Sequence, residues 1–152
     1  MYAKSIAEMS DYSRGIRVGC VAVIGNKVIS TGFNTDRTHP VQMKYNAYRA
    51  FTETAKEPIG HKLHAEIACL APLIGTDINW SKVSLYIYRI KCVTPCGNAR
   101  PCPACMQLIK DLGIKNIYYT TDDKQRNYAY ENTNTYTAAV KRSKFVSNEL
   151  LG

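Results

Sequence analysis

The chain has 152 residues, too many for a disulfide-stapled mini-protein and too few for two ordinary domains, so we expect one domain over 1–152. Its composition of 45% hydrophobic, 10% aromatic and 21% charged residues is typical of a soluble globular protein and excludes a chain that is disordered throughout. Twenty lysines and arginines against twelve acidic residues give a net charge of +8. That excess favours anionic partners such as nucleotides or nucleic acid, although a generally basic surface explains it equally well.

Membrane spans and secretory signals are not predicted. No apolar run approaches the roughly 18–20 residues that a membrane helix needs, and residues 1–10 lack the apolar stretch of a signal peptide. We therefore expect a cytoplasmic protein without membrane association, in which clustered cysteine and histidine more often hold a metal than form disulfides. The six cysteines are Cys20, Cys69, Cys92, Cys96, Cys102 and Cys105.

Hydrophobic periodicity predicts alternating helices and strands. Runs with apolar residues at helical spacing indicate helices, and runs rich in β-branched residues indicate strands. The first predicted elements in chain order are a helix with Tyr2, Ile6, Met9 and Ser13 on one face, followed by strands at Arg17–Ile24 and Lys27–Phe33 joined by a Gly-Asn turn. A second helix has Leu63, Ile67, Leu70 and Ile74 on one face. After it come a strand at Val83–Ile90, a helix at Pro103–Leu112 and a strand at Ile114–Thr121.

Two stretches lack a clear pattern. Residues 34–60 are interpreted as a long excursion over one face of the domain, with a short helix around Tyr45–Ala55. Residues 122–152 form a tail of uncertain structure, polar over Lys124–Thr137 with a last helix at Tyr136–Leu151. The order α-β-β-α-β-α-β predicts an α/β sandwich with helices packed on a mixed sheet.

Two short motifs begin predicted helices and together form a metal-ligand set. His64-Ala65-Glu66 precedes one helix, and Pro101-Cys102-Pro103-Ala104-Cys105 precedes the other. One histidine with two cysteines provides three zinc ligands, His64, Cys102 and Cys105, and leaves the fourth tetrahedral position open, as a catalytic site requires. Helix N-termini also favour thiolates over thiols.

Glu66 distinguishes a catalytic from a structural zinc site. A glutamate two residues after a ligand histidine lies beside the open position, where it can take a proton from water whose pKa falls to about 7 and pass it to a leaving amine. The alternative is a closed structural site in which Cys92 or Cys96 supplies a fourth ligand. We favour catalysis because Glu66 has no role in a structural site.

These motifs resemble those of the cytidine and deoxycytidylate deaminase superfamily, whose signature is H-x-E with P-C-x-x-C. Two further stretches resemble deoxycytidylate deaminases in particular: 17–34, the first hairpin, and 113–119, the strand after the second zinc helix. The resemblance covers about 1–121. It implies a three-layer sandwich with helices on both faces of a mixed sheet, and a homo-oligomer.

The resemblance also implies roles for individual residues. His64, Cys102 and Cys105 are the expected zinc ligands and Glu66 the expected proton shuttle. The backbone N–H of Ala65 is expected to contact the base, and Asn34 the sugar. The family's short link before the second motif is replaced here by an insertion over 92–100, which places Arg89 or Arg100 near the mouth of the pocket. We single out Arg100 as a substrate contact, since a monophosphate needs a cation.

The predicted function is zinc-dependent hydrolytic deamination of a small cytosine nucleotide such as deoxycytidylate. The alternatives are a polynucleotide deaminase, acting on tRNA adenosine or on cytosine in a single strand, and a module of the same fold that binds zinc and nucleic acid without turnover. A nucleic-acid partner is the less favoured of the two substrate classes.

Overall fold

The computed structural model describes residues 2–11, 16–49, 62–90, 98–123 and 127–136. Its longer elements are α1 (Tyr2–Glu8), β1 (Arg17–Ile24), β2 (Lys27–Phe33), α2 (Pro40–Tyr45), α3 (Ala65–Leu70), β3 (Val83–Ile90), α4 (Pro103–Leu112), β4 (Asn116–Thr120) and β5 (Tyr128–Asn132). Single 3₁₀ turns lie at Asn46–Tyr48, Ala71–Leu73, Trp80–Lys82 and Thr133–Thr135.

The five strands form one mixed sheet in the order β2-β1-β3-β4-β5. β1 is antiparallel to both β2 and β3, β3 is parallel to β4, and β4 is antiparallel to β5. Alternate residues along a strand face opposite sides of a sheet. In β1, Cys20 and Ala22 pack with α3 and α4, whereas Val21 packs with α1. Helices therefore cover both faces, and the predicted three-layer α/β sandwich is confirmed.

The strongest local signals of the sequence set the element boundaries. β1, β2 and β3 have the predicted bounds, and so does α4. Pro103 occupies the first turn of α4, where a missing N–H costs nothing, and Gly113 ends the helix with φ 95°. Gly75 likewise has a positive φ of 88° just beyond the helical stretch that starts at Ala65.

The predicted apolar face of α1 is partly wrong. Ala3, Ile6 and Ala7 are buried, whereas Tyr2 is 54% and Met9 is 61% exposed. The reason is close packing on β1, because a Cβ at Gly19 would overlap backbone atoms of Ala3 and Ala7. Only small side chains fit where a helix approaches a strand so closely. The fourth residue predicted on this face, Ser13, lies outside the described residues.

Two predictions of helices also need correction. The helix expected around Tyr45–Ala55 starts earlier, at Pro40, because His39 Nδ1 accepts a hydrogen bond from the Val41 N–H and caps α2. Residues 50–55 of the predicted helix lie outside the described residues. The helix expected from Leu63 begins at Ala65, since Leu63 pairs with Thr35 in an isolated β-bridge.

The polar stretch after residue 122, for which no strand was predicted, contains β5. Ala129 of β5 packs on the core, while the Tyr130 ring lies tilted by 46° against the ring of Tyr118 in β4, with centroids 5.1 Å apart. Cys92, Cys96 and most of the predicted helix at Tyr136–Leu151 lie outside the described residues. Within the described ranges, no helix combines the length and apolar content that a membrane span requires.

Close contact between β2 and α3 gives a stability prediction. A Cβ at Gly32 would lie 2.7 Å from the Ala65 carbonyl oxygen and would also overlap the Cys69 backbone nitrogen. Overpacking usually costs about 1–3 kcal/mol, and backbone atoms cannot rotate away, so we expect Gly32→Ala to lower the free energy of unfolding by about 3 kcal/mol or more.

Urea denaturation of Gly32→Ala beside Gly25→Ala checks this. Gly25 has φ 61°, and a Cβ at this position would meet no atom within 4 Å. Its substitution by alanine therefore costs only the backbone strain of a positive φ, about 1–2 kcal/mol. Equal losses in the two variants would show that α3 is not held against β2 as the structure describes.

Candidate active site

His64 lies immediately before α3 and is held by a residue from another part of the chain. Its backbone is extended, with φ −79° and ψ 152°, and its N–H donates to Gln42 Oε1 over 3.0 Å. The first intrahelical bond of α3 runs from the Ala68 N–H to the His64 carbonyl. This backbone geometry directs the imidazole away from α3 and toward the start of α4.

The two cysteines of the second motif meet this imidazole. Cys102 is the N-cap of α4, and Cys105 lies in its first turn. His64 Nδ1 lies 3.4 Å from Cys102 Sγ and 3.3 Å from Cys105 Sγ, and all three donor atoms lie within 4.8 Å of one another. Zn–N and Zn–S bonds of usual length in a tetrahedron separate the donors by about 3.6 Å. The donor set therefore fits a zinc ion.

The electrostatics of the triad favour the thiolate form of Cys102, which is the form that binds a metal. A hydrogen bond from the Cys105 thiol holds the pKa of Cys102 well below its usual range, and further bonding to His64 adds to this shift. Burial raises the pKa of Cys105. For His64, burial opposes the charged form, but the hydrogen bond with Cys102 and the charges of Cys102 and Glu66 together outweigh it and raise the imidazole pKa.

Glu66 lies in the first turn of α3 and is 5% exposed. Burial raises the pKa of its carboxyl group, the charge of Cys102 adds to the rise, and the charge of His64 opposes it. A carboxylate with a raised pKa accepts a proton more readily near neutral pH. Glu66 is therefore suited to proton transfer at the same place as the donor triad.

A cavity of about 330 Å³ opens beside the triad and is walled by His64, Ala65, Glu66 and Cys102. Among the described residues of its wall, Glu66 is acidic, whereas four residues carry basic side chains. A cleft lined by charges of one sign attracts ligands of the opposite sign. The basic residues are Arg49, Lys62, Arg89 and Arg100.

Asn34 also lines the cavity, but most of its hydrogen-bonding capacity is used within the protein. Its Oδ1 accepts from the Val18 N–H over 2.9 Å and from Ser10 Oγ over 2.8 Å, and its Nδ2 donates to the Ile16 carbonyl over 2.8 Å. An amide group has two N–H donors. The described bonds thus position Asn34 at the end of β2 and use one of these donors.

Arg100 lines the cavity with its guanidinium already paired. Nε and Nη2 each donate to a carboxylate oxygen of Glu131 over 2.9 Å, and this fork holds the pKa of Glu131 below its usual range. Arg89 reaches the same wall, where its Nη1 donates to the Asn98 carbonyl over 3.0 Å. Both arginines thus lie at the cavity, and their described bonds hold them there.

Three residues of the site come from parts of the sequence that gave no clear signal. Gln42 bonds the His64 backbone, Arg49 Nη1 lies 3.4 Å from His64 Nε2, and Lys62 lines the cavity. Gln42 and Arg49 are seven residues apart, two helical turns, in a stretch whose apolar residues show little periodicity. Their one sequence signal is this helical spacing of polar side chains, which apolar periodicity does not register.

Comparisons with known proteins find a matching family model and solved structures of similar fold. The family model of the cytidine and deoxycytidylate deaminase zinc-binding region matches residues 1–121. Among solved structures, dCMP deaminase from cyanophage S-TIM5 has 21% identity and a TM-score of 0.52, covering 79% of this chain and 77% of its own. Cytidine deaminase from Burkholderia pseudomallei has 17% identity and a TM-score of 0.54, covering 86% and 87%. Curated protein sequences yield no match.

Proposed function

The chain belongs to the cytidine and deoxycytidylate deaminase family, and we propose that it is a zinc-dependent hydrolase converting a cytosine nucleotide of the deoxycytidylate kind to its uracil form with release of ammonia. One observation carries the proposal: the buried Glu66 carboxylate shares the wall of one basic cavity with His64 and Cys102, and Cys105 completes their donor set. A carboxylate beside an incomplete ligand set has a catalytic use and no structural one.

The three donors would hold a catalytic zinc, and a zinc ion at this site would lower the pKa of bound water to about 7. His64 contributes Nδ1, and Cys102 and Cys105 contribute their sulfurs. Among the described residues, no fourth histidine, cysteine or acidic side chain joins this group. Three protein ligands leave the fourth position for water or substrate, which is the arrangement of a catalytic zinc site.

Glu66 moves the protons of the reaction. Its carboxylate takes a proton from the attacking water and delivers it to N3 of the cytosine ring as the water oxygen bonds to C4. Glu66 then takes the second proton from that oxygen and gives it to the departing amine. The C4–N bond breaks, the C4 carbonyl forms, and ammonia leaves. The raised pKa of Glu66 suits a group that must both accept and return a proton.

Substrate contacts are proposed from three residues of the cavity wall. Ala65 is the first residue of α3, and N–H groups of a first helical turn have no carbonyl one turn earlier to bind. We assign its N–H to the base. The remaining N–H of Asn34 is assigned to the sugar, and the guanidinium of Arg100, held by Glu131, to the phosphate.

The size and charge of the cavity support a small anionic substrate. Its volume lies at the low end of the roughly 300–1,000 Å³ range of small-molecule sites. The solved structure of S-TIM5 dCMP deaminase with dCMP and dUMP, 20% identical to this chain, shares the fold. The net charge of +8 favours the second candidate, a polynucleotide deaminase, because a strand offers many phosphates to bind.

Substrate choice is tested by ammonia release at low and moderate salt. We expect deoxycytidine monophosphate to be deaminated faster than cytidine, adenosine or a deoxycytidine-containing oligonucleotide. A preference for the oligonucleotide that weakens as salt rises would replace the nucleotide proposal by the polynucleotide one, because strand binding depends steeply on counterion release. Bound zinc without turnover of any of these compounds would favour a binding module.

A further inference from the structure

One face of the segment from α2 to residue 49 is directed at the ligand His64. Gln42, Asn46 and Arg49 are spaced i, i+4 and i+7, which places their side chains along one side of a helical segment. α2 continues directly into the 3₁₀ turn Asn46–Tyr48, so the face is unbroken. The segment packs against α4, the helix that carries Cys105. This face therefore lies between the two halves of the metal site.

Gln42 is the residue of this face that bonds the ligand backbone. It is fully buried, at 0% exposure. Its Oε1 accepts from the His64 N–H over 3.0 Å, and its Nε2 donates to Asn46 Oδ1 over 2.7 Å. Only an oxygen can accept from the N–H, and only the NH₂ group can donate to Oδ1. The two bonds thus fix the orientation of the amide.

Asn46 supports Gln42 without an equivalent bond of its own. It is 5% exposed, and among the described residues its buried Nδ2 has no hydrogen-bond partner. A buried donor left unbonded costs about 1–3 kcal/mol. Asn46 therefore leaves its own Nδ2 donor unbonded, while its Oδ1 accepts the hydrogen bond that keeps the Gln42 amide in place.

His64 is held at its backbone as a result. Gln42 binds its N–H, and in this position Nδ1 lies 3.4 Å from Cys102 Sγ and 3.3 Å from Cys105 Sγ. Arg49 Nη1 lies 3.4 Å from Nε2, the other ring nitrogen. A neutral histidine that binds a metal through Nδ1 carries its proton on Nε2 and cannot accept a hydrogen bond there, so the positioning of the ligand is assigned to Gln42 alone.

We propose that Gln42 is a positioning residue for the metal site, which fixes the backbone of His64 so that Nδ1 faces both thiols before an ion arrives. Ligands held in the binding geometry lose less freedom on binding, which raises affinity. Removal of supporting groups around metal ligands commonly weakens metal binding about 10–100-fold. This proposal rests on the zinc site and is independent of the substrate proposed above.

The test is metal affinity of Gln42→Met beside the matched control Gln107→Met. Methionine keeps the length of the side chain and removes both hydrogen bonds. Gln107 is also a buried glutamine, 4% exposed, whose Nε2 bonds Asp111 on its own helix and not a ligand. Folded apoproteins are titrated with Co²⁺, whose visible absorption reports ligand geometry, and Zn²⁺ affinity is measured by competition with Co²⁺.

We expect Gln42→Met to weaken Zn²⁺ binding about 10-fold or more and to shift the Co²⁺ bands, with Gln107→Met within about 3-fold of the unchanged protein. Equal affinities and spectra in the two variants would overturn the proposal. If Gln42→Met does not fold, Asn46→Ala is used in its place, because it removes the oxygen that accepts the hydrogen bond from Gln42 Nε2. A smaller loss of Zn²⁺ affinity in Asn46→Ala would support the positioning role of Gln42, and an unchanged affinity would contradict it. Because the experiment measures metal binding and not deamination, its result can be interpreted even if the proposed function is wrong.

Discussion

Glu66→Gln is expected to lower kcat by about 10³-fold or more while the protein keeps its zinc and its fold. A glutamine has the shape of the glutamate but cannot accept and return a proton. General acid–base assistance by one group contributes about 10²–10⁴-fold, and Glu66 is proposed to serve at both the ring nitrogen and the leaving amine. Ammonia release under saturating substrate, with metal analysis and thermal unfolding on the same samples, measures this.

Glu8→Gln is the matched control for this variant. Glu8 is an exposed residue at the end of α1, so the same substitution there changes the charge equally and should leave kcat unchanged. Activity of Glu66→Gln within about tenfold of the unchanged protein would contradict the proposed proton shuttle. A comparable loss in both variants would show that the effect comes from overall charge.

Cys102→Ala and Cys105→Ala are expected to reduce bound zinc from about one ion per chain to almost none. Each variant leaves two of the three donors that lie within 4.8 Å of one another, and a two-ligand site rarely retains zinc against a chelator. Because metal-binding energy also stabilises the fold, both variants should unfold at a lower temperature, with little further change on adding chelator. Metal analysis after dialysis measures the content.

Cys69→Ala is the control for a buried thiol that is not a ligand. Cys69 is fully buried in α3, beside Cys20, and should retain zinc despite the lost packing. Two zinc ions per chain, with the second lost in Cys92→Ala, would instead show that the insertion over 92–100 holds a second metal site. Full zinc content in Cys102→Ala would contradict the ligand assignment.

The parts of the fold that the sequence predicted well have short-range causes. β1 and β3 are continuous runs of residues that favour strands, and α4 is bounded by Pro103 and Gly113, so their limits follow from local backbone preferences. β5 has no such signal. It is a short edge strand whose tyrosines and Glu131 become strand residues only by pairing with β4, a contact that the local sequence does not encode.

The same distinction applies to the site. His64, Glu66, Cys102 and Cys105 lie within two short motifs whose residue types and spacing already predict a metal centre. The predicted apolar face of α1 was partly wrong because Gly19, which has no Cβ, lets this helix approach β1 so closely that its small side chains are the ones buried there. Apolar periodicity does not indicate such a contact. Gln42 supports the site through a side chain that reaches His64 across 22 residues of sequence, and nothing in its neighbourhood indicates that partner.

The most direct test of the central claim is deamination of deoxycytidine monophosphate by the zinc-loaded protein in ¹⁸O-enriched water. Hydrolytic attack at C4 transfers one oxygen from water to the base. We therefore expect one ammonia per product molecule and deoxyuridine monophosphate heavier by the mass of one ¹⁸O substitution, with both products formed at least about 10³-fold more slowly by Glu66→Gln of equal zinc content. Absence of ammonia from this and every other cytosine compound tested, with zinc fully bound, would contradict the claim that this chain is a hydrolytic deaminase.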